Sequence, residues 1–209
     1  MANYGSGGFS LPPVIKNLMI INALVWLAQI AAIKQGIYLE EYGALLPIGS
    51  GQFKGWQLIT YMFMHEAVNI NGGIVLAHIG FNMLGLWIFG TDLEYYWGPK
   101  RFLIFYLLCG VFAGIAQLLV SPSGYTIGAS GAVMGVSVAC AYLFPNKELY
   151  IYALFPVKIK YLVPFYVLMD LFSGFGSNDG VAHFAHLGGA LAGFLIVLYW
   201  NRSNRKDFY

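Results

Sequence analysis

A serine, two histidines and an asparagine stand in stretches that are otherwise apolar. Ser130 lies in Gly128-Ala129-Ser130-Gly131, His186 in Ala185-His186-Leu187-Gly188-Gly189, and His78 and Asn82 are four residues apart. A hydroxyl becomes a nucleophile when an imidazole can take its proton and later return it to a leaving amine, the minimum acid–base equipment for acyl transfer. Ser130 as nucleophile and His186 as general base fit that chemistry. The four-residue spacing puts His78 and Asn82 on one helix face, where both can aim donors at a single developing charge. A serine opening a helix also has free backbone amides and the positive end of the helix dipole beside it, and flanking glycines let a substrate backbone come close.

Each residue alone has a simpler reading. Gly-Ala-Ser-Gly in an apolar helix commonly serves packing, with the serine bonding back to its own helix. A histidine there can be a proton relay, a ligand or a satisfied core residue. What joins them is depth, and depth is set by the elements that carry them.

With 59% hydrophobic and 10% charged residues and a mean hydropathy of +0.67, the solvent for most of this chain is lipid. Charge-free runs read against the ~20 residues needed to cross a ~30 Å hydrocarbon core predict an all-α membrane protein of six transmembrane helices. These cover Ile15 to Ile33, Val75 to Tyr96, Phe102 to Val120, Ala129 to Leu143, Tyr161 to Phe175 (interrupted by Asp170) and Val181 to Trp200. Lys34 to Ile74, mixed in glycine, charge and aromatics, reads as a long structured loop lying partly in the interface. Turns are expected at Ser121-Pro122-Ser123-Gly124 and Gly176-Ser177-Asn178-Asp179-Gly180, and Lys147 to Lys160 reads as a connection containing Pro156. One membrane domain, 14–201, is expected between short tails at 1–13 and 202–209.

Lys16, Lys100, Arg101, Lys147, Lys158, Lys160, Arg202, Arg205 and Lys206 fall on one side of this arrangement, and only Lys34 and Lys54 on the other. The positive-inside rule then puts both termini in the cytoplasm, the expectation for a multi-pass protein of the bacterial cytoplasmic membrane. Helices two, four and six run inward, so His78, Asn82, Ser130 and His186 all lie within roughly 10 Å of the outer ends of their helices. Gly110 and Gly114, Gly131 and Gly135, and Gly189 and Gly193 have the spacing of close helix contacts. The net charge of +2 is too mild to argue for nucleic acid. Cys109 and Cys140, inside apolar runs, read as small buried residues.

At these residues the chain resembles the rhomboid family of intramembrane serine proteases. The resemblance runs from about Trp56 to Trp200. It is carried by Trp56-Gln57-Leu58-Ile59-Thr60-Tyr61 with Phe63-Met64-His65, then His78-x-x-x-Asn82, Leu93-Glu94 with Trp97-Gly98-Pro99-Lys100-Arg101-Phe102, Gly128-x-Ser130-Gly131 and Ala185-His186-x-x-Gly189-x-x-x-Gly193. It implies a Ser130/His186 dyad, an oxyanion site from His78, Asn82 and the Ser130 amide, and substrate entry gated by helix five and a cap. It further implies single-pass transmembrane proteins as substrates, a lipid bilayer as environment, and no metal or organic cofactor.

The chain departs from the family pattern in two places. Glu66 to Ala77 is longer than expected, and Met134 stands where many relatives carry a tyrosine. His183 lies one turn before His186 but lacks the Ala-His-x-x-Gly-x-x-x-Gly setting. Asp170 is a mid-helix carboxylate and so a functional candidate by default. Since the family works as a dyad, a protonated or hydrogen-bonded structural role is expected for it instead. His65 either shapes the loop or is an interfacial surface histidine. Two other functions compete: a catalytically inactive rhomboid-like protein that binds client helices, against which Ser130 and His186 both being present argues, and a small transporter, which would want paired intramembrane carboxylates.

Overall fold

The computed structural model describes residues 11–69, 71–120, 124–151, 154–176 and 180–204. Its elements are α1 (Pro13–Ile33), α2 (Glu40–Gly43), α3 (Gln57–Thr60), α4 (Ala77–Trp97), α5 (Pro99–Val120), α6 (Ser130–Leu143), β1 (Glu148–Ile151), β2 (Phe155–Lys158), α7 (Ile159–Gly176) and α8 (His183–Asn204). Among the described residues six helices have fourteen residues or more, each over a stretch the apolar pattern marks. Three of them, α1, α5 and His183–Arg202 of α8, are long and apolar enough to cross a membrane by length and composition. At ~1.5 Å per residue the 14 residues of α6 span about 21 Å, less than the ~30 Å of a hydrocarbon core.

Local chemistry fixes the helix ends. Proline opens α1, where a missing N–H costs nothing. The next amides, of Val14 and Ile15, each donate at 2.8 Å to the buried carboxylate of Glu94 on α4, which satisfies donors a helix start leaves over. Gly98, at φ +81°, caps α4 by donating its N–H to the Glu94 carbonyl, and Pro99 begins α5.

The centre of the bundle is α5, α6 and α8. A side chain on Gly189 would run into the backbone of Gly131, and one on Gly193 into that of Gly135. Helices α6 and α8 therefore touch backbone to backbone, the approach that small-residue spacing permits. The long loop is more than an interfacial belt. Leu45, Tyr61 and Met62 are buried, Met62 fills the space over Gly110, and the Tyr61 hydroxyl donates to the Gly110 carbonyl at 2.6 Å. A two-way backbone pair between Leu45 and Thr126, both bonds 2.9 Å, ties the loop to the segment entering α6.

The opposite end of the bundle has its own fastenings. Lys147 reaches Asp92 and the Ile88 carbonyl on α4, both at 2.6 Å, and Arg101 lies over the Trp200 ring at 4.3 Å.

Several expectations are corrected. Asp170 does not interrupt its helix: α7 runs through both Pro164 and Asp170. The connection at 147–160 holds an antiparallel hairpin pairing Glu148 with Lys158 and Tyr150 with Pro156. Helix α8 continues to Asn204, with Arg202 in its last turn. The turn residues 121–123 and 177–179 and the terminal segments 1–10 and 205–209 lie outside the described residues.

Candidate active site

Ser130 is the first residue of α6, partly buried, and Ala129 ahead of it offers no side-chain cap. The turn that delivers it depends on Gly128. This residue has φ +117°, a region that penalises any Cβ, and its N–H donates to the Tyr61 carbonyl at 2.9 Å. A methyl group on Gly128 would lie 2.8 Å from His78 Nε2 and 3.7 Å from Ser130 Oγ. The hydroxyl and the imidazole thus border the same small space, from different helices.

The orientation of His78 follows from the loop that precedes α4. The Glu66 N–H donates to His78 Nδ1 at 3.1 Å. A neutral imidazole accepting at Nδ1 carries its proton on Nε2, so His78 presents a donor beside Gly128 and Ser130. The loop is closed on itself: the Asn69 side chain accepts from the Asn71 and Gly73 amides at 3.0 and 2.9 Å, and the Val75 amide reaches the Ala67 carbonyl at 3.0 Å. Asn82 is buried, and its amide nitrogen donates to the His78 carbonyl at 2.8 Å, leaving one further N–H on that nitrogen.

His186 stands on the first turns of α8, next to Ala185, whose carbonyl would meet a methyl group on Gly131 at 3.2 Å. The three helices therefore bring their polar residues to one end of the bundle. Among the described residues Ser130 and His186 share no hydrogen bond. The His186 ring instead turns Nδ1 to Asp170 on α7, at 3.1 Å from each carboxylate oxygen, and His183 Nδ1 lies 2.7 Å from Oδ1 of the same group. Ligand-type atoms of these three residues lie within 4.8 Å of one another, a spacing that could hold a divalent ion, yet each Nδ1 already meets the carboxylate.

His65 is completely buried, which removes the surface alternative. Its ring meets that of His78 edge-on, with centroids 5.0 Å apart, and neither ring nitrogen has a hydrogen-bond partner among the described residues. Burial, and next the neighbouring His78, holds its imidazole down at about 4. Gln29 of α1 clasps its backbone from both sides, accepting from the His65 N–H at 3.1 Å and donating to the His65 carbonyl at 2.9 Å. The sequence marked neither Gln29 nor the Glu66 amide. Gln29 carried a signal, being an uncharged polar residue on a membrane helix, whereas a backbone amide carries none.

The rhomboid domain matches residues 52–203. Rhomboid protease GluP of Bacillus subtilis is 31% identical over 157 residues, 75% of this chain and 28% of that protein. RHOMBOID-like protein 6, mitochondrial, of Arabidopsis thaliana is 32% identical over 176 residues, 81% of this chain and 53% of that protein. Putative rhomboid protease YdcA of Bacillus subtilis is 26% identical over 187 residues, 89% of this chain and 87% of that protein. The chain spans 28% and 53% of the first two relatives and 87% of the third.

Proposed function

The chain belongs to the rhomboid family, and on that premise we propose that it is an intramembrane serine endopeptidase using Ser130 as nucleophile and His186 as general base. Its substrates are single-pass transmembrane proteins, cut in or beside their membrane segment. The observation that carries this reading is the shared space at Gly128, bordered by Ser130 Oγ and the Nε2 of His78, at the top of a helix shorter than a hydrocarbon core is thick. Water must enter such a hollow for hydrolysis, and a nucleophile below the surface meets a transmembrane segment at the right depth.

In this mechanism Ser130 Oγ attacks the scissile carbonyl and His186 takes its proton. The oxyanion develops where the Ser130 amide, His78 Nε2–H and the remaining Asn82 N–H can donate, and donors held in place before the reaction stabilise it without reorganisation cost. The intermediate collapses, the peptide C–N bond breaks, and His186 returns the proton to the leaving amine. Water, deprotonated by the same imidazole, then hydrolyses the acyl-enzyme. A helical substrate hides its carbonyls in i to i−4 bonds, so segments with glycine or proline near the cut are favoured because they unwind easily. The lysine and arginine distribution supports a multi-pass membrane protein with both termini in the cytoplasm.

Purified protein in liposomes should cleave a model single-pass substrate and be labelled by a serine-directed fluorophosphonate. Ser130→Ala should lose both. Cleavage surviving in Ser130→Ala would overturn the reading, and a parent protein that binds the substrate but neither cuts nor labels would favour a client-binding protein.

A further inference from the structure

We propose that Asp170 is a positioning residue for His186, gripping its Nδ1 so that Nε2 is the proton-accepting nitrogen, and that His183 steadies the same carboxylate. This rests on the dyad reading above and goes beyond it.

The carboxylate lies on α7 and both imidazoles on α8. Oδ1 is shared by His183 at 2.7 Å and His186 at 3.1 Å, while among the described residues Oδ2 meets His186 at 3.1 Å. The three side chains are 14%, 10% and 15% exposed, so water competes weakly for these bonds. A carboxylate only accepts, and each facing Nδ1 therefore carries its hydrogen. Neutral His186 then has its lone pair on Nε2, the nitrogen left to meet the Ser130 hydroxyl. A ring on a single χ1–χ2 hinge would otherwise sample both tautomers and several orientations. Two contacts to one oxygen pair fix both, as an orienting third group does for any nucleophile–base couple. His183 gives the carboxylate a second anchor on the helix that carries the base. Helix α7, which carries Asp170, can therefore shift away from α8 only when these bonds break, which links base orientation to the docking of α7.

A purely structural ion pair between α7 and α8 would predict lost stability with unaltered turnover per folded molecule. The test therefore reads kcat and KM separately on protein of matched folded fraction, judged by gel filtration and thermal unfolding in detergent. Asp170→Asn keeps the shape but turns an N–H₂ toward one Nδ1. It should lower kcat at least about tenfold, with KM within about threefold, since the contact acts on the base and not on the substrate. Asp170→Glu should recover part of that loss. The chain has 4 histidines, so ¹⁵N-histidine NMR resolves the rings. The parent His186 should be protonated at Nδ1, with that signal lost in Asp170→Asn. An Asp170→Asn protein with kcat within about twofold of the parent and an unchanged His186 tautomer overturns the proposal. If that variant does not fold, His183→Gln decides. Its kcat should fall by a smaller factor because Oδ2 still serves His186, and an unchanged kcat overturns the proposal. Ser130→Ala run in parallel separates the two claims: activity there defeats the dyad itself, whereas a dead Ser130→Ala beside a fully active Asp170→Asn defeats only the role of Asp170.

Discussion

Two residues border the candidate site without a proposed role in the reaction. Gly128 combines a φ of +117° with a Cβ position 2.8 Å from His78 Nε2. Gly128→Ala should therefore strain the turn and push the imidazole aside together, and a displacement of about 1 Å at reacting groups can cost ~100-fold in rate. The expected result is a loss of that order in kcat/KM with protein still recovered folded. Near-parental turnover would mean that the close approach to His78 is not needed. His65 is expected to make the fold sensitive to acid. Held at about 4 in the fold and titrating near 6.5 when unfolded, it is neutral in a fold that refuses a proton the unfolded chain accepts. Stability is then full above about pH 6.5, falls as pH drops toward 4, and levels off below, by up to about 3 kcal/mol. Thermal unfolding in detergent at pH 7 and pH 4.5 should show this slope in the parent and a flatter one in His65→Leu. An identical slope in the variant would assign the acid sensitivity elsewhere.

At the scale of elements, the site depends on how closely α6 and α8 approach. Gly189 has no room for a Cβ against the Gly131 backbone, and Gly131 adjoins Ser130 as Gly189 follows His186 by three residues. Gly189→Ala should force the helices apart, costing about 1–3 kcal/mol and lowering kcat more than KM, read by thermal unfolding and steady-state cleavage. Parental stability and turnover would show that the crossing has slack. This crossing was legible in the sequence, because glycines at four-residue spacing on two helices have few other uses. Helix boundaries were legible to within a few residues for the same kind of reason: charge, proline and glycine mark where lipid ends. The grip of Asp170 on His186 was not legible. Which way a carboxylate on α7 points depends on the rotation of that helix, and tertiary packing decides it rather than any local pattern. The hairpin of β1 and β2 was hidden by Pro156, a residue that argues against a strand but is tolerated where both strands are edges. The burial of His65 depended on Gln29, 36 residues away in sequence.

The whole molecule has two chemically different ends, and their difference predicts an orientation in the bilayer that can be tested. One end gathers the loop, Gly128, Ser130 and the start of α8. The other gathers the Glu94 clasp on the start of α1, the Lys147–Asp92 pair, Arg101 over Trp200 and the hairpin. Among the described residues Lys16, Lys100, Arg101, Lys147, Lys158, Lys160 and Arg202 belong to the second end, and Lys34 and Lys54 to the first. By the positive-inside rule a bias of this size would direct the basic end to the cytoplasm, and the proposed orientation then has the Ser130 end facing outward. Lys54 and Lys158 are both exposed and sit at opposite ends, while the native Cys109 and Cys140 are buried and therefore poor targets for aqueous reagents. Single cysteines introduced as Lys54→Cys and Lys158→Cys thus report orientation with little background. In intact cells a membrane-impermeant maleimide should label the first and not the second, and permeabilised cells should label both. Labelling of Lys158→Cys from outside would invert the molecule, put Ser130 on the cytoplasmic side, and require substrates whose cleavable segments are presented there.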